Sequence, residues 1–422
     1  MSVRGELEEK FRGIMREELH LGSLVSYVGN KEVPFLRIYR FKEAFAFDLV
    51  REFFRRFGVC RDDYVFDPFS GLGTTLFVSA LCGVPSIGID MLPLAHFVSK
   101  TLPLFLLLRE NEVRSVWESV KRNMENAEPA EVADVPIVRR AFDRETLLTL
   151  RKMKSAICEL PPPHRDVFLL LFFSILEECS FTSKDGQFLR IRADKKVSNP
   201  VEAMKRKVAQ VEEDVRRIRI LFPDLHVSGE VLPDVYLADA RDLSSVRFRR
   251  KPTVVVTSPP YINRYDYTRS YALELCFHFV RSSEELKKLR RELLRSHIES
   301  KLREGERPPH PAVEEVIRAL SEKELNNPRI PDMIVAYFAD MQKVISELGR
   351  VLERGARVAV VVGNVRFEGE VIPVDLILSD MAEGAGFEVE EIIVARYKGN
   401  SSQQMKKYGR VPVRESVLVW IR

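Results

Sequence analysis

Short apolar runs alternate with polar loops and amphipathic stretches along much of the chain, a pattern that predicts strands alternating with helices. Phe41–Phe57 carries apolar residues on one helical face and predicts a helix, and Tyr64–Phe66 predicts a short buried strand. A second helix is predicted over Thr74–Leu81 and a second strand over Ser86–Ile89. A strand, a helix and a strand in this order indicate the start of an open parallel sheet.

The same alternation returns in the second half of the chain. Its predicted strands are Val235–Ala238, Val254–Val256 and Arg357–Val362, its predicted helix is Ile372–Gly384, and Val389–Tyr397 and Ser416–Ile421 are expected to pair as a terminal hairpin. The predicted fold class is therefore α/β, with a Rossmann-like sheet and a β-hairpin at the C-terminus.

Charged helical patterns fill the two remaining segments, 101–230 and about 270–350, and predict helical insertions rather than linkers. A chain of 422 residues also exceeds what one compact core usually holds. We therefore expect residues 1–100 to form the first part of a catalytic domain and 231–422 its second part. Between them, 101–230 would form a helical insertion that could recognise substrate.

Composition excludes several classes of protein. No apolar run approaches the roughly 18 residues that span a bilayer, and the N-terminus is too charged for a signal peptide, so we expect a cytoplasmic protein. The five cysteines form no CxxC pair, which argues against a metal site and against a disulfide framework. A net charge of +4 tolerates a polyanionic partner without demanding one. Abundant Glu, Lys and Arg is typical of proteins from hot environments.

A glycine-containing loop, Asp67-Pro-Phe-Ser-Gly-Leu-Gly-Thr-Thr75, follows the first predicted strand. This is where a doubly wound sheet places its ligand. Gly71 and Gly73 allow a sharp turn and close approach of the backbone, and the helix that begins at Thr74 favours a carboxylate such as that of a methionine moiety. A phosphate-binding loop would have Lys after the last glycine, so we do not interpret this loop as one.

Two further carboxylates stand at predicted strand ends. Asp90 ends the second strand, where it can accept hydrogen bonds from both ribose hydroxyls of a nucleoside, and Asp239, which follows the third, could accept from an adenine amino group. A single aspartate at a strand end is more often a helix cap or a surface residue. Three strand ends in the correct order instead predict a nucleoside cofactor site without phosphates.

The segment Thr257-Ser-Pro-Pro-Tyr261 follows the fourth strand and suits chemistry on an exocyclic amine. The amine of cytosine is a poor nucleophile because its lone pair is delocalised into the ring. The Ser258 hydroxyl and the backbone carbonyls of the rigid turn at Pro259 and Pro260 can hold its two hydrogens, and Tyr261 offers a face on which an extruded base can stack. The alternative is a Pro-Pro turn without chemistry, which the cofactor loop upstream disfavours.

These motifs together resemble the amino-methyltransferases of nucleic acid, in the group that acts on cytosine N4. The resemblance implies a seven-stranded class I sheet, S-adenosylmethionine as the methyl donor and a flipped base over the Ser-Pro-Pro-Tyr loop. It assigns the cofactor to Asp67, Ser70, Gly71, Gly73 and Asp90, and the base to Ser258–Tyr261. Relatives with Asp in place of Ser258 more often act on adenine, so the serine favours cytosine. Phe35–Phe47 resembles, more loosely, the motif that wraps the methionine end.

Residues directly after this loop are the best candidates for substrate contacts, because the chain holds them near the base. They are Asn263, Arg264, Tyr265 and Asp266, with Tyr267 beside them. Two polar loops, Thr182–Gln187 and Gly399–Gln404 with its Gln403 and Gln404, also resemble relatives, although surface loops share their composition. His96 and His278 are expected to be structural.

The position of the large insertion, between Asp90 and Asp239, departs from DNA enzymes that place a target-reading domain between the third and fourth strands. We therefore favour structured RNA, a ribosomal-RNA cytidine, over DNA. Basic residues of the insertion could grip RNA by shape or could simply be a solvated helix face. They are Lys205, Arg206, Lys207, Arg216 and Arg217. An inactive nucleic-acid-binding relative, and a methyltransferase of small molecules or of protein amides, remain further alternatives.

Overall fold

The computed structural model describes residues 2–185, 188–223, 225, 229, 231–399, 409 and 411–422. Its strands, numbered in chain order, are β1 (Met15–Glu17), β2 (Val65–Asp67), β3 (Ser86–Asp90), β4 (Thr182–Asp185), β5 (Phe188–Ile191), β6 (Asp234–Leu237), β7 (Val254–Thr257), β8 (Arg357–Gly363), β9 (Val365–Phe367), β10 (Glu370–Ile372), β11 (Glu388–Lys398) and β12 (Val413–Ile421).

The α-helices are α1 (Val3–Phe11), α2 (Phe47–Phe57), α3 (Thr74–Cys82), α4 (Pro93–Thr101), α5 (Glu112–Asn126), α6 (Pro136–Ala141), α7 (Arg144–Cys158), α8 (His164–Leu176), α9 (Pro200–Leu221), α10 (Tyr267–Ser270), α11 (Ala272–Glu274), α12 (Ser283–Glu292), α13 (Pro311–Ser321), α14 (Ile330–Val351) and α15 (Val374–Gly384). Short 3₁₀ helices cover Arg12–Ile14, Leu19–Ser23, Tyr27–Glu32 and Leu102–Leu107, and a π-helical turn covers Leu275–Phe279. None of the described helices is long and apolar enough to cross a bilayer.

Within the described residues, eight strands form the central sheet in the order β1-β11-β12-β8-β7-β2-β3-β6. The strands β8, β7, β2, β3 and β6 run parallel, and β12 lies antiparallel between β11 and β8. This topology confirms the predicted Rossmann-like class I sheet and the C-terminal hairpin. The strand beyond the expected seven is β1, three residues that pair in parallel with β11.

Two hydrophobic clusters cover the two faces of the sheet. One contains the buried sides of α2, α3 and α4 together with the helices of the 101–230 segment, and the other contains α1, α13, α14 and α15. The long helix α14 lies within a segment predicted as an insertion, yet it packs directly in this second layer because it is apolar on most of its surface. The three-part division of the chain remains a prediction.

The segment before the first parallel strand differs from its predicted conformation. The helix begins at Phe47, not at Phe41, because the buried side chain of Asn30 accepts a hydrogen bond from the Phe47 N–H at 2.7 Å and donates to the Phe45 carbonyl at 2.8 Å. These bonds hold the chain extended where the apolar pattern predicts a helix. As a result, Phe41 and Phe45 reach the carboxyl edge of the sheet.

Candidate active site

A cleft opens at the carboxyl ends of the parallel strands and receives residues from seven parts of the chain. Its lining includes Phe41, Glu43 and Phe45 before α2, Ser70, Gly71 and Thr74 after β2, Asp90 after β3, Asp239 after β6, Ser258 and Pro260 after β7, Tyr267 of α10, and Leu293, Leu294, Ser296 and His297 after α12. The predicted cofactor motif and the predicted catalytic motif therefore meet in one place.

The glycine loop closes tightly against α4. Gly71 and Gly73 have φ values of +50° and +85°, in the left-handed region that favours glycine. A Cβ on Gly73 would lie 2.7 Å from the Cα of Ser99. Among the described residues no side chain caps the N-terminus of α3, so its first N–H groups remain directed to the loop side, where they favour an anion.

Asp90 is fixed by backbone donors on both of its carboxylate oxygens. Gly71 N–H donates to Oδ2 at 3.0 Å and Leu92 N–H donates to Oδ1 at 2.9 Å. Burial raises the pKa of Asp90 to about 6, although these hydrogen bonds act to lower it. Each oxygen keeps a second lone pair, so the carboxylate can accept two hydroxyl groups on the cleft side.

Asp67 is buried beneath the loop instead of facing the cleft. Its Oδ1 accepts from the Thr257 hydroxyl at 2.6 Å and from Phe69 N–H at 3.1 Å. Burial raises its pKa to about 7. Because Thr257 directly precedes the Ser-Pro-Pro-Tyr loop, this bond ties the cofactor strand β2 to the catalytic strand β7.

The hydroxyl groups of the loop turn towards the protein. Ser70 Oγ donates to Ser99 Oγ at 3.0 Å, and Thr74 Oγ1 contacts the Phe45 carbonyl at 3.4 Å. Both residues line the cleft. Their hydroxyl protons are thus engaged within the protein, and they offer a ligand their backbone and the lone pairs of the hydroxyl oxygens.

Asp239 lines the cleft while paired with an arginine that sequence reasoning missed. Arg241 donates to both Asp239 oxygens, at 2.8 to 3.0 Å, and reaches Asp340 on α14 at 2.8 Å. Arg295 also binds Asp340, which is fully buried. The strand-end carboxylate is therefore part of a network that fixes the segment after α12 to the helix layer. No local sequence signal joins residues so far apart.

Ser258 and Pro260 face the cleft, and Pro259 is buried. The Ser258 hydroxyl donates to the Val361 carbonyl of β8 at 3.1 Å. With its proton engaged there, the oxygen presents only lone pairs to the cleft. The two prolines have no N–H group, so this turn offers acceptors and no backbone donor at those positions.

Tyr261, which is predicted to offer a face on which an extruded base can stack, is not among the residues that line the cleft, and its stacking role stays a prediction. Its ring lies over Gly363, whose Cβ, if present, would be 3.0 Å from Cε2, and Lys398 Nζ stands 5.3 Å from the ring centroid. Its hydroxyl donates to the buried Glu415 at 2.9 Å, and burial and Glu415 raise its pKa well above the ordinary value. Arg396 and Lys398 pair with the same carboxylate.

The predicted substrate residues after the loop are mostly occupied by the protein itself. Asn263 Oδ1 accepts from Tyr265 N–H at 3.1 Å, and the ring of Tyr265 packs edge-on against Tyr267. Asp266 caps α10 and pairs with Arg290 at 2.7 Å. Arg264 has a φ of +69° and lies over Phe367. Of this group only the neighbouring Tyr267 lines the cleft.

The polar loop Thr182–Gln187 begins as strand β4, and residues 186–187 lie outside the described residues. Its Lys184 is buried and pairs with the buried Glu274 at 2.5 Å, while Tyr39 donates to the same carboxylate at 3.0 Å. This ion pair docks the β4–β5 hairpin beside the segment that enters the cleft. Gln403 and Gln404 also lie outside the described residues.

Most of the basic side chains of α9 are bound within the protein. Lys207 donates to the Ile38 carbonyl at 2.9 Å, Arg217 donates to the Glu32 carbonyl at 3.1 Å and Arg206 pairs with Glu178. Lys205, Arg206 and Arg216 are exposed. The helix therefore presents a weaker basic surface than its sequence predicts.

The two histidines expected to be structural are packed away from the cleft. His96 contacts the Val235 carbonyl at 3.3 Å, and burial lowers its pKa. His278 is exposed on one side while its ring contacts Phe97, Phe173 and Phe279, and this partial burial lowers its pKa to about 4.

Sequence reasoning missed the last part of the cleft lining. Glu43, which accepts from the Tyr271 hydroxyl at 2.6 Å, lies in the segment that only loosely resembles a family motif. The stretch Leu293–His297 follows a charged helix and has no recognisable motif. Only its hydrogen bonds to distant residues, such as Arg264 N–H to the Ser296 carbonyl at 3.2 Å, bring it over the cleft.

Known proteins match this chain over nearly its whole length. The chain is 31% identical over 469 aligned residues to "Type II methyltransferase M.BsoBI" from Geobacillus stearothermophilus, which covers 99% of this chain and 91% of that protein. It is 33% identical over 445 residues to "Type II methyltransferase M.AvaI" from Nostoc sp., which covers 98% and 92%. A scan against protein-family models gives no match.

A search of solved structures matches TrmN from Thermus thermophilus, with 10% identity, a TM-score of 0.28 and coverage of 89% of this chain and 48% of that one. The rRNA methyltransferase aviRa from Streptomyces viridochromogenes has 15% identity, a TM-score of 0.30 and coverage of 89% and 85%. The sequence relatives, which match almost from end to end, decide the family. The chain belongs to the family of the type II methyltransferases M.BsoBI and M.AvaI, and is an S-adenosylmethionine-dependent methyltransferase that acts on nucleic acid.

Proposed function

We propose that this enzyme transfers a methyl group to the N4 amino group of cytosine in DNA. The observation that carries the choice of an amino group is the hydrogen bond from Ser258 Oγ to the Val361 carbonyl, 3.1 Å long. The hydroxyl proton is used in this bond, so Ser258 Oγ has only lone pairs to offer where the residue lines the cleft. A site made of acceptors suits an NH₂ group, which has two donors.

Acceptors help the reaction because an exocyclic amine must regain its lone pair before it can attack. Hydrogen bonds from both amino hydrogens to Ser258 Oγ and to a backbone carbonyl of the Pro259–Pro260 turn favour a pyramidal nitrogen. These bonds strengthen as the nitrogen becomes positive, so they stabilise the transition state more than the ground state. When bound, S-adenosylmethionine supplies an electrophilic methyl group on a sulfonium.

The other end of the cleft fits that cofactor. Asp90 is held by two backbone donors with lone pairs to spare, as ribose hydroxyls require. The uncapped N-terminus of α3 suits a carboxylate. We assign cofactor contacts to Asp90, to the backbone of Ser70, Gly71 and Thr74, and to Asp239. Asp67 and Gly73 would act by shaping the loop.

Two observations lead us to propose DNA where the sequence alone favoured RNA. The relatives that align over 98–99% of the chain are type II methyltransferases, a class that modifies DNA. Their alignment includes the 101–230 segment, so an early insertion does not separate this chain from such enzymes. In addition, three of the five α9 side chains that motivated RNA binding, Arg206, Lys207 and Arg217, already have hydrogen-bond or ion-pair partners within the protein.

The test is nucleoside mass spectrometry after the purified enzyme and S-adenosylmethionine have been incubated with DNA and, separately, with total RNA. We expect N4-methylcytosine in DNA alone. N4-methylcytidine found in RNA alone would support the ribosomal-RNA alternative. N6-methyladenine would show that the target base is adenine and not cytosine. The Ser258→Ala variant provides the control for contaminating methyltransferases.

A further inference from the structure

His297 is a buried cleft residue that the mechanism above does not use. The residue is only 5% exposed, and it lines the same cleft as Ser258 and Asp90. The Ser296 carbonyl next to it accepts from Arg264 N–H at 3.2 Å, which ties His297 to the chain that follows the catalytic loop. His297 therefore lies in the wall of the space that a bound molecule would fill.

The contacts of the ring determine which nitrogen carries the proton. Nε2 lies 3.1 Å from the Arg290 carbonyl oxygen. A carbonyl oxygen can only accept, so Nε2 must be the N–H that donates to it. Burial lowers the pKa of His297 although Asp266 and Glu299 oppose this, so the ring is neutral at pH 7. Nδ1 then carries a lone pair and is an acceptor.

Among the described residues, Nδ1 has no hydrogen-bond partner although it is buried. An unpaired buried acceptor costs free energy, and native proteins rarely leave one without a purpose. Nearly every other polar atom described above in the lining of the cleft, including both oxygens of Asp90 and the Ser258 hydroxyl, has a protein partner. His297 differs from them because its Nδ1 is an acceptor that lacks a donor.

We propose that His297 Nδ1 accepts a hydrogen bond from an N–H or O–H group of the molecule bound in the cleft. This inference rests on the proposed function, since it takes that molecule to be S-adenosylmethionine or the target base. Both carry suitable donors: the cofactor has hydroxyl, amino and ammonium groups, and cytosine has its N4 amino group. His297 would thus fix the position of a reactant in the cleft.

Two substitutions separate this role from a purely structural one. In His297→Asn the side-chain amide stands where Nδ1 does, so an acceptor for the ligand remains while the bond to Arg290 is lost. In His297→Gln the amide nitrogen reaches the position of Nε2, so the structural bond remains and the ligand acceptor is lost. Thermal unfolding of both variants checks that each is folded.

We expect His297→Gln to weaken ligand interaction by about 2- to 10-fold, the value of one hydrogen bond, and His297→Asn to stay closer to the wild type. Calorimetry with S-adenosylmethionine and single-turnover methylation at saturating cofactor identify the source of the donor. A loss of affinity assigns it to the cofactor, and a slower rate at unchanged affinity assigns it to the target amine.

A Gln variant equal to the wild type in both measurements, or an Asn variant impaired as much or more, would overturn the proposal. Failure of the proposed function looks different. In that case the wild-type enzyme itself would form no N4-methylcytosine in DNA, whereas the calorimetric comparison of the two variants would still give a result.

Discussion

The two ends of the cleft are held in place by different kinds of contact. At the cofactor end, Asp90 is bound by the N–H of Leu92, two residues away, and of Gly71 in the adjoining loop. At the target end, Ser258 is held by Val361 and Tyr261 by Glu415, which lie 103 and 154 residues further along the chain. The contacts that hold Asp90 are thus local, whereas those that hold Ser258 and Tyr261 exist only once β7, β8 and β12 have assembled.

This difference suggests that changes at the two ends should have separable effects. Damage to the glycine loop should weaken the fold and cofactor binding together, because the same backbone does both. Damage at the Ser-Pro-Pro-Tyr loop should slow methyl transfer and leave cofactor affinity intact. The following four predictions test that separation, beginning with the largest expected effect.

Gly73→Ala should lower the free energy of unfolding by about 3 kcal/mol, the sum of a left-handed backbone cost and an overpacked contact. The residue has a φ of +85°, and its new Cβ would lie 2.7 Å from Ser99 Cα. Gly58→Ala is the matched control: its φ is +65° but no atom lies within 4 Å of its Cβ, so it should cost only about 1 kcal/mol. Urea denaturation measures both; equal losses would show that the Ser99 contact does not matter.

Ser258→Ala should reduce the methyl-transfer rate at saturating cofactor by roughly 100-fold, since it removes an acceptor that acts in the transition state. The affinity for S-adenosylmethionine should remain within about 2-fold of the wild type. Single-turnover kinetics and calorimetry measure the two quantities. A parallel loss of cofactor affinity would contradict the division of the cleft into two ends.

Cofactor binding should weaken below about pH 6, because that is the pKa to which burial raises Asp90. A protonated carboxyl cannot accept from two ribose hydroxyls as well as a carboxylate can, so affinity is present above this pH and falls by up to about tenfold for each unit below it. Calorimetry between pH 5 and pH 8 measures the change. In Asp90→Asn the affinity should be low and nearly independent of pH, and a curve like that of the wild type would exclude Asp90 as the titrating group.

Tyr261→Phe should have the smallest effect, a 2- to 10-fold slower methyl transfer, because it deletes one hydrogen bond to Glu415 and keeps the ring. Glu415 retains Arg396 and Lys398 as partners. Tyr397→Phe is the control, since its hydroxyl also bonds to a carboxylate, that of Glu17, but on the exposed surface. If the control slows the reaction as much as Tyr261→Phe does, the bond to Glu415 has no special role.

The same contrast explains how far the sequence could predict this molecule. The strands, the glycine loop and the terminal hairpin depend on periodicity and on turn residues that are close together in the chain, so they could be predicted. The orientation of Tyr261 depends on the absence of a side chain at Gly363 and on a carboxylate at position 415. Neither is visible as a motif.

Other parts of the site were missed for related reasons. Leu293–His297 lines the cleft because Arg295 and Arg241 share the buried Asp340, a contact that links three separate segments. The basic pattern of α9 was recognised, but sequence periodicity does not show that Lys207 reaches the Ile38 carbonyl. A basic side chain on a helix indicates a nucleic-acid-binding surface only where no neighbouring carbonyl or carboxylate already accepts its hydrogen bonds.

The short strand β1 has a consequence for solubility. It covers residues Ile392–Val394 of β11, an eleven-residue strand that would otherwise be the outermost strand on that side of the sheet. Long uncovered edge strands offer unpaired N–H and C=O groups to other chains and promote aggregation. Met15–Glu17 takes no part in the chemistry, yet a protein shortened past these residues would expose that edge and become prone to self-association through it.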